Sequence, residues 1–188
     1  MKKDELKIVI ITTPIRPIPT SYPPIGALSV ISSLKEAGYS STKFYDVDGL
    51  RPSYEEALNH LINLKPDIVG ISAVVSTAYE YTKRISLNIK EHLPNTTIIL
   101  GGNLGASAEI LLKYTGVDFV SLGEGNNVIV EFMDTYISEN ANKSYVNVPS
   151  LVFLDKNQNL INTGYAKQIS KEKIYDIDWK ILEEHSKI

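Results

Sequence analysis

Cysteine is missing from the 188 residues, which removes disulfides, thiolate nucleophiles, iron–sulfur ligation and cysteine–zinc sites from consideration within them. Positive charge is not in excess either, since 19 lysines and arginines against 22 acidic residues leave a formal net charge of −3. Binding to a phosphate backbone needs a basic field that this balance does not supply, so nucleic acid is not an expected partner. No apolar run approaches the roughly 20 residues of a membrane helix. The opening MKKDELKIVIITTP mixes acidic residues with a short apolar run and lacks the organisation of a signal peptide. A cytoplasmic chain without membrane contact is expected. The only histidines are His60, His92 and His185, placed by the sequence pattern in a helix, at a helix end and in the C-terminal tail. A Ser-His-Asp or Cys-His arrangement has no support, and no H-E-x-x-H, Walker A or G-x-G-x-x-G fingerprint is found. The chain reads as a binder with no catalytic residue and no metal site.

What is present is an alternation of strands and helices. Apolar residues make up 43% of the chain, enough for one well-buried core in a single main domain. KIVIITT, from Lys7 to Thr13, is dense in β-branched residues and reads as a central strand buried on both faces. PIRPIPTSYPPIG follows with five prolines among thirteen residues. Each proline removes a donor and constrains its predecessor, so this segment is a loop at the strand's carboxyl end.

Helical periodicity runs from Ile25 to Ala37 and stops at Gly38. A second strand over Thr42 to Asp46 ends in the turn DVDG. Ser53 and Glu56 then form a capping box for YEEALNHLINLK. DIVGISAVV, TTIILGG and DFVSLGEG are the third, fourth and fifth strands. Helices are expected over about Ser76–Leu93, Ala106–Tyr114 and Asn127–Tyr136. Five βα units in a row imply an α/β fold, a doubly wound five-stranded parallel sheet of the Rossmann or flavodoxin-like kind with helices on both faces. After Ser138 the character changes. SENANKS reads as a loop, and PSLVFLDKNQNLINTG as a β-hairpin extension turning at Lys156–Asn159. The main domain is set at residues 1–138, with hairpin and linker over 139–188.

In an open parallel sheet, ligands bind outside the carboxyl ends of the strands, where loops on the two sides diverge. Those loops carry Thr13 to Gly26, Asp46 to Gly49, Ser72 to Thr77, Gly101 to Asn103 and Gly123 to Asn127, and they are rich in small or hydroxylated residues. Gly101, Gly102, Gly123 and Gly125 let the backbone approach a ligand closely; a tight βα turn is the better explanation for any one pair, but not for all of them on one face of one sheet. Ser72, Ser76 and Thr77 offer hydroxyls to a polar ligand. Helix capping accounts for Ser76 or Thr77 but not for Ser72, which lies inside the strand end. Glu124 has two open readings, a ligand hydrogen bond or a favourable position at a helix start. Asp46 and Asp48 are read as turn-forming hydrogen bonders.

Four segments together carry a resemblance: PPIGALSVISSLKEAGY (Pro23 to Tyr39), PDIVGIS (Pro66 to Ser72), IILGGN (Ile98 to Asn103) and GVDFVSLGEGNNVIVEF (Gly116 to Phe132). In order and spacing, residues 7–137 resemble the cobalamin-binding domain of class B radical-SAM methyltransferases and their relatives. The resemblance implies a corrinoid ligand, with a radical-SAM barrel in cis as partner. A [4Fe–4S] cluster and S-adenosylmethionine belong to that barrel, whose cysteine motif this chain does not contain. DIDWKILEE (Asp176 to Glu184) looks like the linker leading into it, and the chain is expected to be an N-terminal fragment of a larger enzyme.

Carried over motif by motif, the resemblance sets Thr13, Tyr22, Pro23 and Pro24 facing the corrin's lower side. It sets Ser72, Val74 and Ser76 at the nucleotide-tail pocket, Gly101 and Gly102 beside the tail, and Gly123, Glu124 and Gly125 in the last loop. One departure stands out. Other cobalamin carriers supply an axial histidine from D-x-H-x-x-G after the first strand, and residues 12–26 contain no histidine. Base-off cobalamin without a histidine ligand is therefore expected, its lower face meeting Ile15, Ile18 or Tyr22. Two other readings stand beside this one. The first is a cofactor-free scaffold or substrate-recognition domain, its cleft filled by the proline-rich loop. The second is a flavodoxin-like or nucleotide-binding domain, which the prolines after the first strand disfavour.

Overall fold

The computed structural model describes residues 1–138, 144–166 and 177–185. Parallel strands β1 (Ile8–Thr12), β2 (Thr42–Tyr45), β3 (Ile68–Ser72), β4 (Thr97–Gly101) and β5 (Phe119–Ser121) are joined by antiparallel β6 (Leu151–Leu154) and β7 (Leu160–Asn162). The sheet order is β2-β1-β3-β4-β5-β6-β7. The predicted doubly wound α/β fold is thus present, but the hairpin continues the main sheet and makes it seven-stranded. The reason is edge pairing: β5 would otherwise expose its backbone groups, and Phe119, Val120 and Ser121 pair with Phe153, Val152 and Leu151.

Every residue of β1 is buried, as its unbroken β-branched run requires of a strand covered on both faces. Helices α1 (Ile25–Glu36) and α6 (Gly125–Ile137) lie on one face, where Ile8, Ile10, Leu28, Ile31, Val128 and Phe132 share a core. On the other face, α3 (Tyr54–Leu64), α4 (Tyr79–His92) and α5 (Ala108–Tyr114) pack Leu61, Ile85, Ile89 and Leu111 against Val9, Ile11 and Val69. The capping box of α3 forms as expected, with the Glu56 amide donating to Ser53 Oγ at 3.2 Å and the Ser53 amide to Glu56 Oε2 at 2.8 Å. The fully buried Tyr39 donates its hydroxyl to Asp134 at 2.6 Å and so ties the end of α1 to α6. Burial, and then that carboxylate, push the phenol's pKa upward.

Three local expectations change. DVDG forms α2 (Val47–Leu50), a single turn of helix capped by the Asp46 carboxylate accepting from the Gly49 amide at 3.1 Å. The helix after β3 begins with a 3₁₀ turn, Ser76–Ala78, and its cap position is Ala78 with no side-chain bond, so neither Ser76 nor Thr77 caps it. DIDWKILEE, expected as a linker leading out of the domain, contributes α7 (Lys180–His185), whose Ile181 and Leu182 are buried in the α1/α6 core. Asp176 and the preceding stretch of the proposed linker lie outside the described residues.

The approach of α4 to the turn before β5 is close enough to require glycine. The Gly116 amide donates to Ser86 Oγ at 3.0 Å, and a Cβ on Gly116 would come within 2.4 Å of the Ser86 carbonyl oxygen. Backbone cannot move aside as a side-chain tip can. Gly116→Ala is therefore expected to destabilise the chain by roughly 1–3 kcal/mol, read as a lower urea midpoint at unchanged m-value.

Candidate functional site

On the α1/α6 face the side chains shrink toward the carboxyl ends of the strands. Reading every second residue, β1 passes from Ile8 and Ile10 to Thr12, β3 from Ile68 to Gly70 and Ser72, β4 from Ile99 to Gly101, and β5 from Phe119 to Ser121. Register places Thr12 beside Ser72 and Ser72 beside Gly101, so the small residues form a row. The large residues below fill the space under α1 and α6. Above them the helices continue while the strand side chains do not, and a cavity of about 490 Å³ results. That volume is in the usual range for a ligand site, and the position is the topological switch point, where α1 after β1 and α4 after β3 leave for opposite faces.

Glycine shapes this space at two points. Ile10 leans over Gly70, where an added Cβ would lie 2.5 Å from Ile10 Cδ1, whereas a Cβ on Gly101 would meet nothing within 4 Å because it would enter the open space. At Gly102 the backbone itself demands glycine. Its φ is +93° and a Cβ would sit 2.5 Å from the Ala73 carbonyl oxygen.

The polar groups fall into two sets. Near the β1 end, Thr12 Oγ1 donates to Asp46 at 2.7 Å and accepts from the Asp48 amide at 2.9 Å. Between α1 and α6, the Asn126 amide nitrogen donates to the Ser29 carbonyl at 3.2 Å, to Ser33 Oγ at 3.0 Å and to Ser29 Oγ. Two further hydroxyls in the cavity lining, Thr20 Oγ1 and Ser121 Oγ, are buried without a hydrogen-bond partner among the described residues. A buried hydroxyl left unmet costs about 1–3 kcal/mol, so both are positions where a polar atom in the cavity would be stabilising. Tyr22, Ile25 and Val74 line the cavity and are also exposed, so its edge is apolar.

Eleven of the twelve predicted positions line this one cavity. They are Thr13, Tyr22, Pro23 and Pro24 from the first loop, Ser72 and Val74 from the end of β3, Gly101 and Gly102, and Gly123, Glu124 and Gly125. Ser76 does not; it opens the exposed 3₁₀ turn instead. Sequence reasoning missed Gly70, Ser121, Ser29, Asn126, Thr20 and Asp48, which also line the cavity. The period-2 decline in side-chain size would have found Gly70 and Ser121. Among the described residues, no histidine lines the cavity. His60 lies tilted against Tyr45 with ring centroids 4.4 Å apart, its pKa lowered by burial and then by Lys43, and His92 Nδ1 lies 2.9 Å from the Asn88 carbonyl.

Known proteins place this geometry. Over 166 residues the chain is 29% identical to the anaerobic magnesium-protoporphyrin IX monomethyl ester cyclase of Cereibacter sphaeroides, covering 86% of this chain and 26% of that protein. The cyclase of the same description from Synechocystis is 26% identical over 164 residues, with 86% and 32% covered. The chain therefore spans only about a quarter to a third of these relatives' length. Among solved structures, the cobalamin-dependent S-adenosylmethionine radical enzyme OxsB, with aqua-cobalamin and S-adenosylmethionine bound, superposes with a TM-score of 0.74 at 18% identity, covering 96% of this chain and 25% of that one. The radical S-adenosylmethionine methyltransferase TsrM from Kitasatospora setae, with cobalamin and a [4Fe–4S] cluster bound, gives 0.68 at 14% identity, with 85% and 31% covered. These likenesses establish the fold. The family model described as the B12 binding domain matches residues 11–133, well over half of the chain, and the chain belongs to the B12-binding domain family.

Proposed function

We propose that the chain is the cobalamin-binding module of a larger radical-SAM enzyme, holding a corrinoid at the carboxyl ends of β1, β3, β4 and β5. The observation that carries this reading is the cavity itself, which stays open with the proline-rich loop in place. That loop forms a wall of the cleft and does not fill it, which counts against the cofactor-free scaffold. The residues present fit the group. Gly70, Ser72 and Gly101 leave a slot under α1 and α6 for a nucleotide tail, and the hydroxyls of Ser121 and Thr20 are available to its polar atoms. The exposed apolar side chains Tyr22, Ile25 and Val74 on the cavity's edge suit a macrocycle too broad to enter the slot. When bound, the corrinoid would supply cobalt-centred chemistry. This chain's own residues bind, orient and shield it.

We infer a base-off, histidine-off state from two features together: the slot under α1 and α6 would draw the nucleotide tail and its base away from the ring, and the first loop carries no histidine to take the base's place. The [4Fe–4S] cluster and S-adenosylmethionine are assigned to a barrel domain in cis, in keeping with relatives roughly three times as long as this chain. For the parent reaction, the sequence motifs favour methyl transfer, while the similarity to the two cyclases favours a ring-forming reaction.

Titration of the purified chain with hydroxocobalamin, aerobically and anaerobically, followed by desalting and an ultraviolet–visible spectrum, is expected to leave stoichiometric corrinoid with a base-off spectrum. A well-folded chain that retains none, alone or joined to its barrel, would refute the proposal. Ser72→Trp fills the slot and is expected to weaken retention at least about tenfold, a loss of about 1.4 kcal/mol; unchanged affinity would remove Ser72 from the site. Gly70→Ala tests the depth of the slot separately. The new methyl displaces only the tip of Ile10, so the melting temperature should stay nearly constant while affinity falls as that tip moves into the cavity.

A further inference from the structure

The loop from Pro14 to Pro24 has the composition of a mobile connection, yet it is held from two sides. Arg51 reaches across from the end of α2 and spends its guanidinium on this loop: Nη1 donates to the Arg16 carbonyl and Nη2 to the Ile18 carbonyl, each at 2.7 Å. Both carbonyls precede a proline, in the stretch Arg16-Pro17-Ile18-Pro19. Missing donors there rule out a backbone ladder, so the oxygens need a partner from elsewhere. Asp48 completes the clasp. Its carboxylate accepts from the Thr20 amide at 3.1 Å and from the Ile15 amide at 3.4 Å, and pairs with Arg51. From the opposite side, Thr77 Oγ1 donates to the Ile15 carbonyl at 2.9 Å.

Arg51 adopts a left-handed backbone conformation with φ 50° and ψ 49°, which a non-glycine residue holds only where its surroundings fix it. Its own Nε bonds the Asp48 carbonyl at 2.7 Å, so the fork is locked before it meets the loop. Asp48 is almost fully buried and lines the cavity, whereas Arg51 does not line it. A clasp of this kind gives α2 a purpose that capping and packing do not explain.

We propose that Arg51, with Asp48, is a positioning residue for the ligand: the pair sets the proline-rich loop as a preformed wall, so that the corrin ring lands on an ordered surface. Ordering a loop at the moment of binding subtracts from affinity, and a loop already fixed avoids that loss. Arg51 acts here through Ile15, Ile18 and Tyr22 without touching the ligand. The planar fork is essential, because two carbonyls and a carboxylate are bridged at once and an ammonium group cannot reproduce that geometry. This inference rests on the corrinoid reading proposed above.

The test compares the parent chain with Arg51→Met and Arg51→Lys, measuring affinity for hydroxocobalamin and for dicyanocobinamide, which has the ring without the nucleotide tail. Hydrogen exchange over residues 13–26 is followed in the same samples. Both variants are expected to keep a cooperative melt, to exchange the Ile15 and Thr20 amides at least tenfold faster, and to bind both corrinoids about tenfold more weakly. Equal losses for the two ligands locate the effect at the ring, where the loop lies. Full affinity in Arg51→Lys, or faster exchange with unchanged affinity, would overturn the proposal. Should the Arg51 variants not fold, Thr77→Val loosens the same loop from its exposed side, with a twofold to fivefold loss expected for both ligands and an unchanged affinity counting against the clasp. A parent chain that binds neither corrinoid, alone or joined to its barrel, would overturn the underlying reading of the site, whereas a binding parent with indifferent variants would overturn only the role of Arg51.

Discussion

The site depends on one constraint: along the α1/α6 face, strand side chains shrink while the helices above them stay at the same height. Helix-to-sheet spacing is set lower down, where Ile8, Ile68 and Phe119 pack against Leu28, Ile31 and Phe132. Close packing there leaves no freedom for α1 and α6 to settle onto the smaller residues above. Thr12, Gly70, Ser72, Gly101 and Ser121 therefore cannot be covered by collapse of the helices, and the uncovered volume persists as a cavity. The opposite face has no such decline. Ile11, Ile71, Leu100 and Val120 carry its apolar packing to the strand ends, against Leu104, Ala108 and Leu111. The asymmetry between the two faces is what makes this sheet a binder on one side and a solid core on the other.

A second dependence links the cavity to the crossover after β2. Thr12 at the end of β1 bonds Asp46 and the Asp48 amide, and these fix the single turn of α2. Asp48 and Arg51 then hold the first loop. Strand end, short helix and loop form one chain of polar contacts, buried at Thr12 and Asp46 and running out to the exposed bonds between Arg51 and the loop. Such a network is worth having only when it is complete, since a half-satisfied one costs more than an apolar packing. The backbone groups it holds, the Ile15 and Thr20 amides and the Arg16 and Ile18 carbonyls, explain why a segment with five prolines among thirteen residues becomes a defined wall.

Element type was legible in the sequence wherever a long periodic run met a strong terminator, as with KIVIITT before Pro14 and the Ser53–Glu56 capping box. The cleft was legible too, because strand order in a doubly wound sheet dictates where the loops diverge. Less legible were features set by partners distant in sequence. DVDG reads as a turn because four residues are too few for periodicity, and only the bonds from Thr12 and Gly49 to Asp46 make it a helix. The hairpin's union with the sheet follows from β5 being an edge, which requires the strand order. Ser76 was grouped with Ser72 by proximity in sequence, but the 3₁₀ turn it begins carries it away from the cavity. Thr77, taken for a cap, bonds the Ile15 carbonyl 62 residues earlier.

The same logic explains why the tail of the chain matters to a site it does not line. Ile181 and Leu182 enter the core on the α1/α6 face, and the Asp178 amide donates to Ser32 Oγ on α1 at 3.3 Å. Val148 and Leu151 join that core from the segment entering β6. Each of these contacts presses on the packed layer that fixes the height of α1 and α6, and none projects into the cavity above it. Extra burial beneath the cavity therefore stiffens its walls without narrowing it. A cleft kept open by packing from below needs no ligand to shape it, which is the condition under which a broad, rigid macrocycle is bound with little loss to reorganisation.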